Sequence, residues 1–237
     1  MRLAVIPARG GSKRIPGKNI KDFCGQPMIA YSIQAAQQSG VFDDVIVSTD
    51  DEAIAKVARS YGANVPFIRP DSLSDDFTGT RAVTNHAIEQ YMQHYEKPEY
   101  CCCIYATAPF VQSQYLRDGF EKLSRSPTQG FAFSVTSFAF PIQRAIRLDG
   151  AGVSAMYPEF VKTRSQDLEE GFHDAGQFYW GRTDDYLSNK GMFSRHSIPI
   201  ILPRHLVQDI DTQEDWVRAE LMYQAYMQDT DKNNETG

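Results

Sequence analysis

Between Ala8 and Asn19 the chain reads Ala-Arg-Gly-Gly-Ser-Lys-Arg-Ile-Pro-Gly-Lys-Asn, directly after the apolar run Arg2–Pro7. Arg9, Lys13, Arg14 and Lys18 place four cations in a short span, and Gly10 and Gly11 allow main-chain amides to turn inward as an anion nest. With Ala8, Ser12 and Asn19 they describe a cradle for a polyphosphate, sited just past a strand end, where open α/β sheets bind ligands. A P-loop does not fit: five residues separate Gly11 from Gly17, and Asn19 stands where a Ser or Thr would hold magnesium. No dinucleotide fingerprint is present either. A solvated basic loop is the competing reading.

A triphosphate usually travels with a divalent metal, which needs hard oxygen ligands. The segment Gln208-Asp-Ile-Asp-Thr212 offers them. If 206–210 is extended, Asp209 and Asp211 share one face and can clamp one Mg²⁺, while Thr212 starts a helix; helix capping by either aspartate is the alternative. A polar loop carries Asp75, Asp76, Thr78 and Thr80, which either face a ligand or cap the helix that follows. Arg69, before Pro70, suits a phosphate or a base carbonyl. In His173-Asp-Ala-Gly-Gln-Phe-Tyr-Trp180 a glycine, an amide and aromatics suit a polar ligand such as a sugar, or a strand with core aromatics. None of the five histidines has a metal-spaced partner, and the chain offers no persuasive Ser-His-Asp order for a covalent hydrolase.

These residues must be held by a scaffold, and 237 residues suffice for one large domain, at roughly 100–200 residues per domain, with a smaller insertion. Alternation of strands and helices implies parallel βαβ units. Strands are expected at 2–7, 45–49, 65–68, 100–105, 131–137, 178–181 and 198–202. Helices are expected at 27–39, 51–61 (capped by Asp50 and Asp51), 80–95, 113–124, 184–189 and 212–227. The pattern weakens between Phe138 and Asp174, where Pro141, Pro158, the Asp149-Gly150 turn signal and exposed-type aromatics read as a hairpin-rich arm suited to packing on a second copy, or as a long surface excursion. Residues 1–228 are thus expected to form a single domain, followed by a flexible polar tail at 229–237.

The composition excludes several classes of function. With 42% hydrophobic and 23% charged residues the chain is globular, and 24 Lys and Arg against 30 Asp and Glu give a net charge of -6, which disfavours nucleic acid and anionic lipid. No apolar run is long enough to span a bilayer and no secretory leader is evident, so a cytoplasmic location is expected. Cys101, Cys102 and Cys103 are consecutive in an apolar run, where alternating faces prevent a metal cage; buried strand cysteines are expected there, and Cys24, beside Gly25, reads as a reduced thiol.

Ile6-Pro-Ala-Arg-Gly-Gly-Ser-Lys13 with Pro16-Gly-Lys-Asn19, then Val47-Ser-Thr-Asp50, Arg69-Pro70 and Asp209-Ile-Asp-Thr212 resemble, in this order, the CMP-sialic acid synthetase family, over residues 3 to about 222. Where the sialic acid enzymes read Leu-Gln-Pro-Thr-Ser-Pro-Leu-Arg, this chain has Ile104-Tyr-Ala-Thr-Ala-Pro-Phe-Val111, without the glutamine and the arginine. Leu73-Ser-Asp-Asp-Phe-Thr-Gly-Thr80 and Asp174-Ala-Gly-Gln-Phe-Tyr179 resemble the pseudaminic acid cytidylyltransferase branch.

The resemblance implies a Rossmann-like, mostly parallel α/β sheet of the nucleotide-diphospho-sugar transferase type, an inserted dimerisation arm at 138–175, a homodimer, and a requirement for CTP and Mg²⁺. The implied reaction is CTP plus pseudaminic acid giving CMP-pseudaminic acid and diphosphate, by attack of the anomeric hydroxyl of a nine-carbon 2-keto acid sugar on the α-phosphate. Arg9, Lys18, Asp209 and Asp211 would be catalytic, the two aspartates on the metal. Ala8, Arg9, Gly10, Gly11, Ser12, Lys13, Lys18, Asn19, Arg69, Thr78 and Thr80 would bind CTP, and Tyr105, Gln177 and Tyr179 the sugar. A sialic, legionaminic or Kdo substrate, a nucleotide-sugar hydrolase and a non-catalytic CTP-binding module stand as alternatives.

Overall fold

The first apolar run forms strand β1 (Arg2–Pro7), with Leu3 to Ile6 fully buried, and its alternating side chains feed two cores. Ala4 and Ile6 face one layer of helices; Leu3 and Val5 face the other. That is the signature of a parallel strand covered on both sides. The computed structural model describes residues 1–188 and 190–235, with backbone alone described for 230–235.

After β1 the cationic loop leads to a small hairpin, β2 (Asp22–Phe23) and β3 (Gln26–Pro27), absent from the sequence reading, and then to helix α1 (Met28–Ser39). Pro27 precedes α1, and Gly40 ends it in the left-handed region at φ 67°, where glycine carries no Cβ penalty. Strand β4 (Asp44–Ser48) and helix α2 (Glu52–Ser60) follow. Asp51 alone caps α2, accepting from the amides of Ala53 at 2.7 Å and Ile54 at 3.2 Å, a bond type worth about 1 kcal/mol.

Helix α3 (Thr80–Met92), strand β5 (Tyr100–Ile104), helix α4 (Ser113–Ser124) and strand β6 (Phe131–Ser137) continue the alternation. The exposed hairpin β7 (Ile146–Asp149) and β8 (Gly152–Ala155) then turns at Asp149-Gly150 as expected. Strand β9 (Phe172–Arg182), helix α5 (Thr183–Leu187), strand β10 (Ser197–Ile201) and helix α6 (Gln213–Glu235) complete the chain. The main sheet runs β10-β6-β9-β5-β1-β4, with β9 antiparallel to both neighbours and the other strands parallel to one another.

Three expectations change. Residues 65–68 form no strand and make one isolated bridge, Ile68 with Thr49, after another at Asn64 with Ile46, because Pro66 lacks the N–H that a ladder needs. Residues 207–211 are irregular, following a 3₁₀ turn at Arg204–Leu206, so Asp209 and Asp211 owe their placement to packing rather than to a strand. The last helix extends to Glu235 through most of the expected tail; residues 236 and 237 of that tail, and Asn189 of the expected 184–189 helix, lie outside the described residues.

The tripled cysteines behave as strand residues. All four cysteines are free, Cys101 and Cys102 face opposite cores, and burial pushes the Cys103 thiol up to about 12.

A third core determines where the chemistry sits. Ile15 from the cationic loop, Phe23 from the hairpin, Met28 and Tyr31 from α1, and Leu206, Ile210 and Trp216 from the C-terminal region form one buried cluster. Phe23 meets Tyr31 and Trp216 edge to face, with centroids 5.6 and 5.4 Å apart. Ile15 and Ile210 flank the two sets of charged residues, so burying them brings cations and carboxylates together across nearly the whole chain.

Candidate active site

The cations beyond β1 border an open cavity of about 540 Å³ at the carboxyl ends of the parallel strands. Arg9, Ser12, Lys13, Lys18, Asn19, Arg69, Thr78, Thr80, Tyr105 and Asp211 all lie on its wall, as does Arg14. Each loop cation meets an acidic or carbonyl partner. Arg9 reaches Asp76 at 2.7 Å and the Asp75 carbonyl at 2.6 Å, and Lys13 reaches Asp76 at 2.5 Å. Lys18 donates to the Ile210 carbonyl at 2.7 Å and lies 3.5 Å from Asp211, which Arg14 approaches at 3.0 Å. Lys13 and Arg14 remain largely open to solvent, and Lys18 alone, 17% exposed, is enclosed; what sets the loop apart is that every cation has a fixed partner on the cavity wall.

Asp76 is therefore a protein anion seated among cations suited to phosphate, and Lys13 and Arg9 hold its carboxyl below the usual carboxylate range. Asp76→Asn should lower the KM for a nucleoside triphosphate by about two- to five-fold, and the gain should shrink as salt is raised. Steady-state kinetics at two ionic strengths check this; a raised KM would show that Asp76 helps hold substrate instead.

The turn below the cavity departs from the expected amide nest. The Ala8 amide is spent on the Ser48 carbonyl at 2.9 Å and the Gly10 amide on Asp50 at 3.0 Å, so neither is available to phosphate. Gly10 is needed for close approach: a Cβ there would stand 2.6 Å from Asp51 Oδ2 and 2.9 Å from Asp51 Cβ. Gly11 faces open space, and Asn19 donates to the Arg9 carbonyl at 2.9 Å, closing the loop on itself.

Asp50 does not cap α2 with Asp51; it lies 3.5 Å from Arg69 and joins the turn after β1 to the loop after residue 68. Arg69 is only 3% exposed, and desolvation lowers its pKa against the opposing pull of Asp50. Two adjacent aspartates before one helix were the available signal, since only one can occupy its N-cap. Asp75 and Thr78 do not cap α3, whose N-cap is Gly79; Asp75 instead accepts from the Phe77 and Thr78 amides at 3.0 and 2.7 Å and shapes the rim.

At the opposite wall Thr212 and Asp215 form the reciprocal cap of α6. The Thr212 amide donates to Asp215 at 2.9 Å, and the Asp215 amide donates to the Thr212 hydroxyl at 3.2 Å. Neither Asp209 nor Asp211 is consumed as a cap. Burial and the neighbouring Asp211 hold the Asp209 carboxyl above its usual range. Asp209 is not on the cavity wall, whereas Asp211 is. A divalent cation would relieve this crowding, and the pair supplies hard oxygen donors. Among the described residues no group of three or more His, Cys, Asp or Glu is gathered for a metal, so remaining ligands would come from phosphate and water, as Mg²⁺ commonly accepts.

A second cavity, about 300 Å³, adjoins the first through two shared wall residues, Thr80 and Tyr105, whose hydroxyls lie 3.3 Å apart. Tyr179 is on its wall and donates to Asp174, with oxygen separations of 2.8 and 2.7 Å, while Met192 and Phe193 add an apolar side. Gln177 is on neither wall. It is 4% exposed and gives its side-chain amide to the Leu206 carbonyl at 2.5 Å, fastening β9 to the C-terminal loop. The cause is the bulge between Phe133 and Val135, where the Ser134 hydroxyl meets the Gln177 and Phe178 amides. Arg81, Met192 and Phe193 were missed, because no local motif marks a wall built from separate elements.

Cations gathered past the first strand of such a sheet, opposite a carboxylate delivered by the C-terminal region, are the architecture of an α/β nucleotidyltransferase. The chain belongs to the cytidylyltransferase family, whose model matches residues 3–235. It is 46% identical over 224 residues to the pseudaminic acid cytidylyltransferase of Campylobacter jejuni subsp. jejuni serotype O:2, covering 94% of this chain and 96% of that protein. It is 32% identical over 225 residues to the CMP-N,N'-diacetyllegionaminic acid synthase of Legionella pneumophila, covering 92% and 94%. Among solved structures, a CMP:2-keto-3-deoxy-manno-octonic acid synthetase complexed with CTP shares the fold, with a TM-score of 0.68, 17% identity and coverage of 94% of this chain and 99% of that one.

Proposed function

We propose that this protein transfers CMP from CTP to pseudaminic acid, releasing diphosphate. The observation that carries the reading is the pair of adjoining cavities, one bordered by five cations and Asp211, the other by aromatic and apolar side chains with Arg81 and Asp174, meeting at Thr80 and Tyr105. Similarity to the Campylobacter enzyme supports pseudaminic acid as the sugar.

The sugar's anomeric hydroxyl forms a new bond to the α-phosphorus of CTP as the bond to the bridging oxygen of diphosphate breaks; the hydroxyl proton leaves to solvent or a nearby base. Arg9, Lys13 and Lys18 hold the triphosphate and stabilise charge moving onto the leaving diphosphate. Arg69 and the segment from Thr78 to Thr80 hold the nucleoside, and Tyr105 and Tyr179 the sugar. Asp209 and Asp211 would hold Mg²⁺, which would supply neutralisation of phosphate charge. Displacing Asp76 from Arg9 and Lys13 accompanies nucleotide entry.

The protein acts as a homodimer through the arm, where Phe140 is 81% and Leu148 79% exposed, a cost that a second copy would remove. Four free cysteines accord with the reducing cytoplasm as its compartment. Among the described residues no helix is long and apolar enough to cross a membrane.

The test is diphosphate release from CTP and Mg²⁺ with pseudaminic, N-acetylneuraminic and N,N'-diacetyllegionaminic acids in parallel, with mass detection of the CMP-sugar. Turnover with pseudaminic acid alone is expected. Preference for another acid keeps the mechanism and replaces the sugar; CTP binding without turnover of any acid leaves a nucleotide-binding module.

A further inference from the structure

We infer that Arg81 is a positioning residue that sets acceptor selectivity by holding the apolar side of the second cavity in place. The inference rests on that cavity being the acceptor pocket.

Arg81 follows Thr80 in the first turn of α3, but its side chain turns away from the nucleotide cavity and is on the wall of the second alone. Among the described residues it makes no ion pair. Its Nη1 donates to the Lys190 carbonyl at 2.5 Å, and the two N–H of Nη2 are shared among three more main-chain carbonyls, Asp185 at 2.6 Å, Tyr186 at 3.0 Å and Ser188 at 3.2 Å. Helix α5 is only five residues long, so its last carbonyls lack helical partners. Arg81 satisfies them and carries the chain directly into Met192 and Phe193.

The guanidinium also lies over the faces of Phe131 and Tyr186, 5.3 and 5.9 Å from their centroids. Lysine could neither spread over two rings nor serve four carbonyls, since it lacks the planar fork. The surroundings are built for this arrangement. Asp185, 7% exposed, pairs with Lys190, and a Cβ at Gly130 would stand 2.7 Å from Asp185 Oδ2.

Beyond this staple, Phe193 meets Phe133 edge to face at 5.1 Å and is 71% exposed, while the adjacent Met192 carbonyl accepts from the Ser194 amide and the Ser197 hydroxyl. The position of Phe193 across the cavity from Tyr105 and Tyr179 is thus set by the segment that Arg81 ties down on one side and by the Ser194 and Ser197 bonds on the other. An apolar wall at fixed distance favours acyl-amino or deoxy substituents over hydroxyls of similar size; a loosened wall loses that discrimination.

The experiment compares wild type with Arg81→Lys, Arg81→Ala, Phe193→Ala and the Arg81→Ala/Phe193→Ala pair, using pseudaminic and N-acetylneuraminic acids as probes and measuring KM and kcat for acceptor and CTP separately. Arg81→Ala should raise the preferred acceptor's KM by about ten-fold or more, shrink the preference between sugars by a similar factor, and leave the CTP KM within about two-fold. Arg81→Lys should recover little, and the double variant should be no worse than the poorer single one, because both changes release the same wall. Should Arg81→Ala fail to fold, Arg81→Lys and Phe193→Ala carry the comparison. Unchanged preference in the Arg81 variants, or CTP and acceptor KM rising together, would overturn the inference. Wild-type turnover of neither sugar, with CTP bound, would instead remove the acceptor reading beneath it.

Discussion

Asp211→Ala should cut diphosphate release at saturating CTP and Mg²⁺ by about a hundred- to ten-thousand-fold while leaving the melting temperature nearly unchanged. The carboxylate borders the cavity, lies 3.0 Å from Arg14 and 3.5 Å from Lys18, and shares its electrostatic surroundings with Asp209. Its side chain is 37% exposed, so removing it opens no void in the core. Two effects of opposite sign separate in the assay. Without Asp211 the cations are less neutralised, so CTP without metal should bind as well as before or better. The metal-dependent rate should collapse because the carboxylate pair is broken. Wild-type-like diphosphate release in the variant would remove Asp211 from the chemistry.

Lys18→Ala is the second large effect: kcat should fall and the CTP KM rise together, lowering kcat/KM by about a hundred- to a thousand-fold. Its side chain is only 17% exposed, and its ammonium is held by the Ile210 carbonyl at 2.7 Å. Such a group is preorganised for phosphate in ground and transition states alike. Lys18→Arg should restore part of the binding but little of the rate, since a longer planar fork cannot occupy a site shaped around one point charge. The substitution also strands the Ile210 carbonyl, worth about 1 kcal/mol, visible as a small drop in melting temperature. Unchanged CTP kinetics in Lys18→Ala would place this lysine outside the working site.

The part of the site legible in the sequence is the part that is local. Arg9 to Asn19 carries its cations within one loop, and the position of that loop after a buried strand follows from six adjacent residues. Helix α1, with Pro27 and Gly40 at its ends, was readable because start and stop signals act on neighbouring backbone. What escaped was pairing over distance. Asp50 looked like a cap until Gly10 and Arg69 were brought beside it. Gln177 looked like a sugar ligand because an amide among aromatics suits one, yet a bulge at Ser134 turned it toward Leu206. Asp76 was readable only as part of a polar loop that faces a ligand or caps a helix, since its partners Arg9 and Lys13 lie more than sixty positions away.

The satellite core of Ile15, Phe23, Ile210 and Trp216 also orders events in time. During synthesis the cationic loop leaves the ribosome first, but the segment that presses against it and presents Asp211 emerges nearly two hundred residues later. Until residues 206–219 arrive, the nascent chain has Arg14 and Lys18 without their opposing carboxylate and an uncovered Phe23. A partly made polypeptide therefore cannot complete the reaction centre, and a shortened product lacking this segment loses chemistry and packing at once.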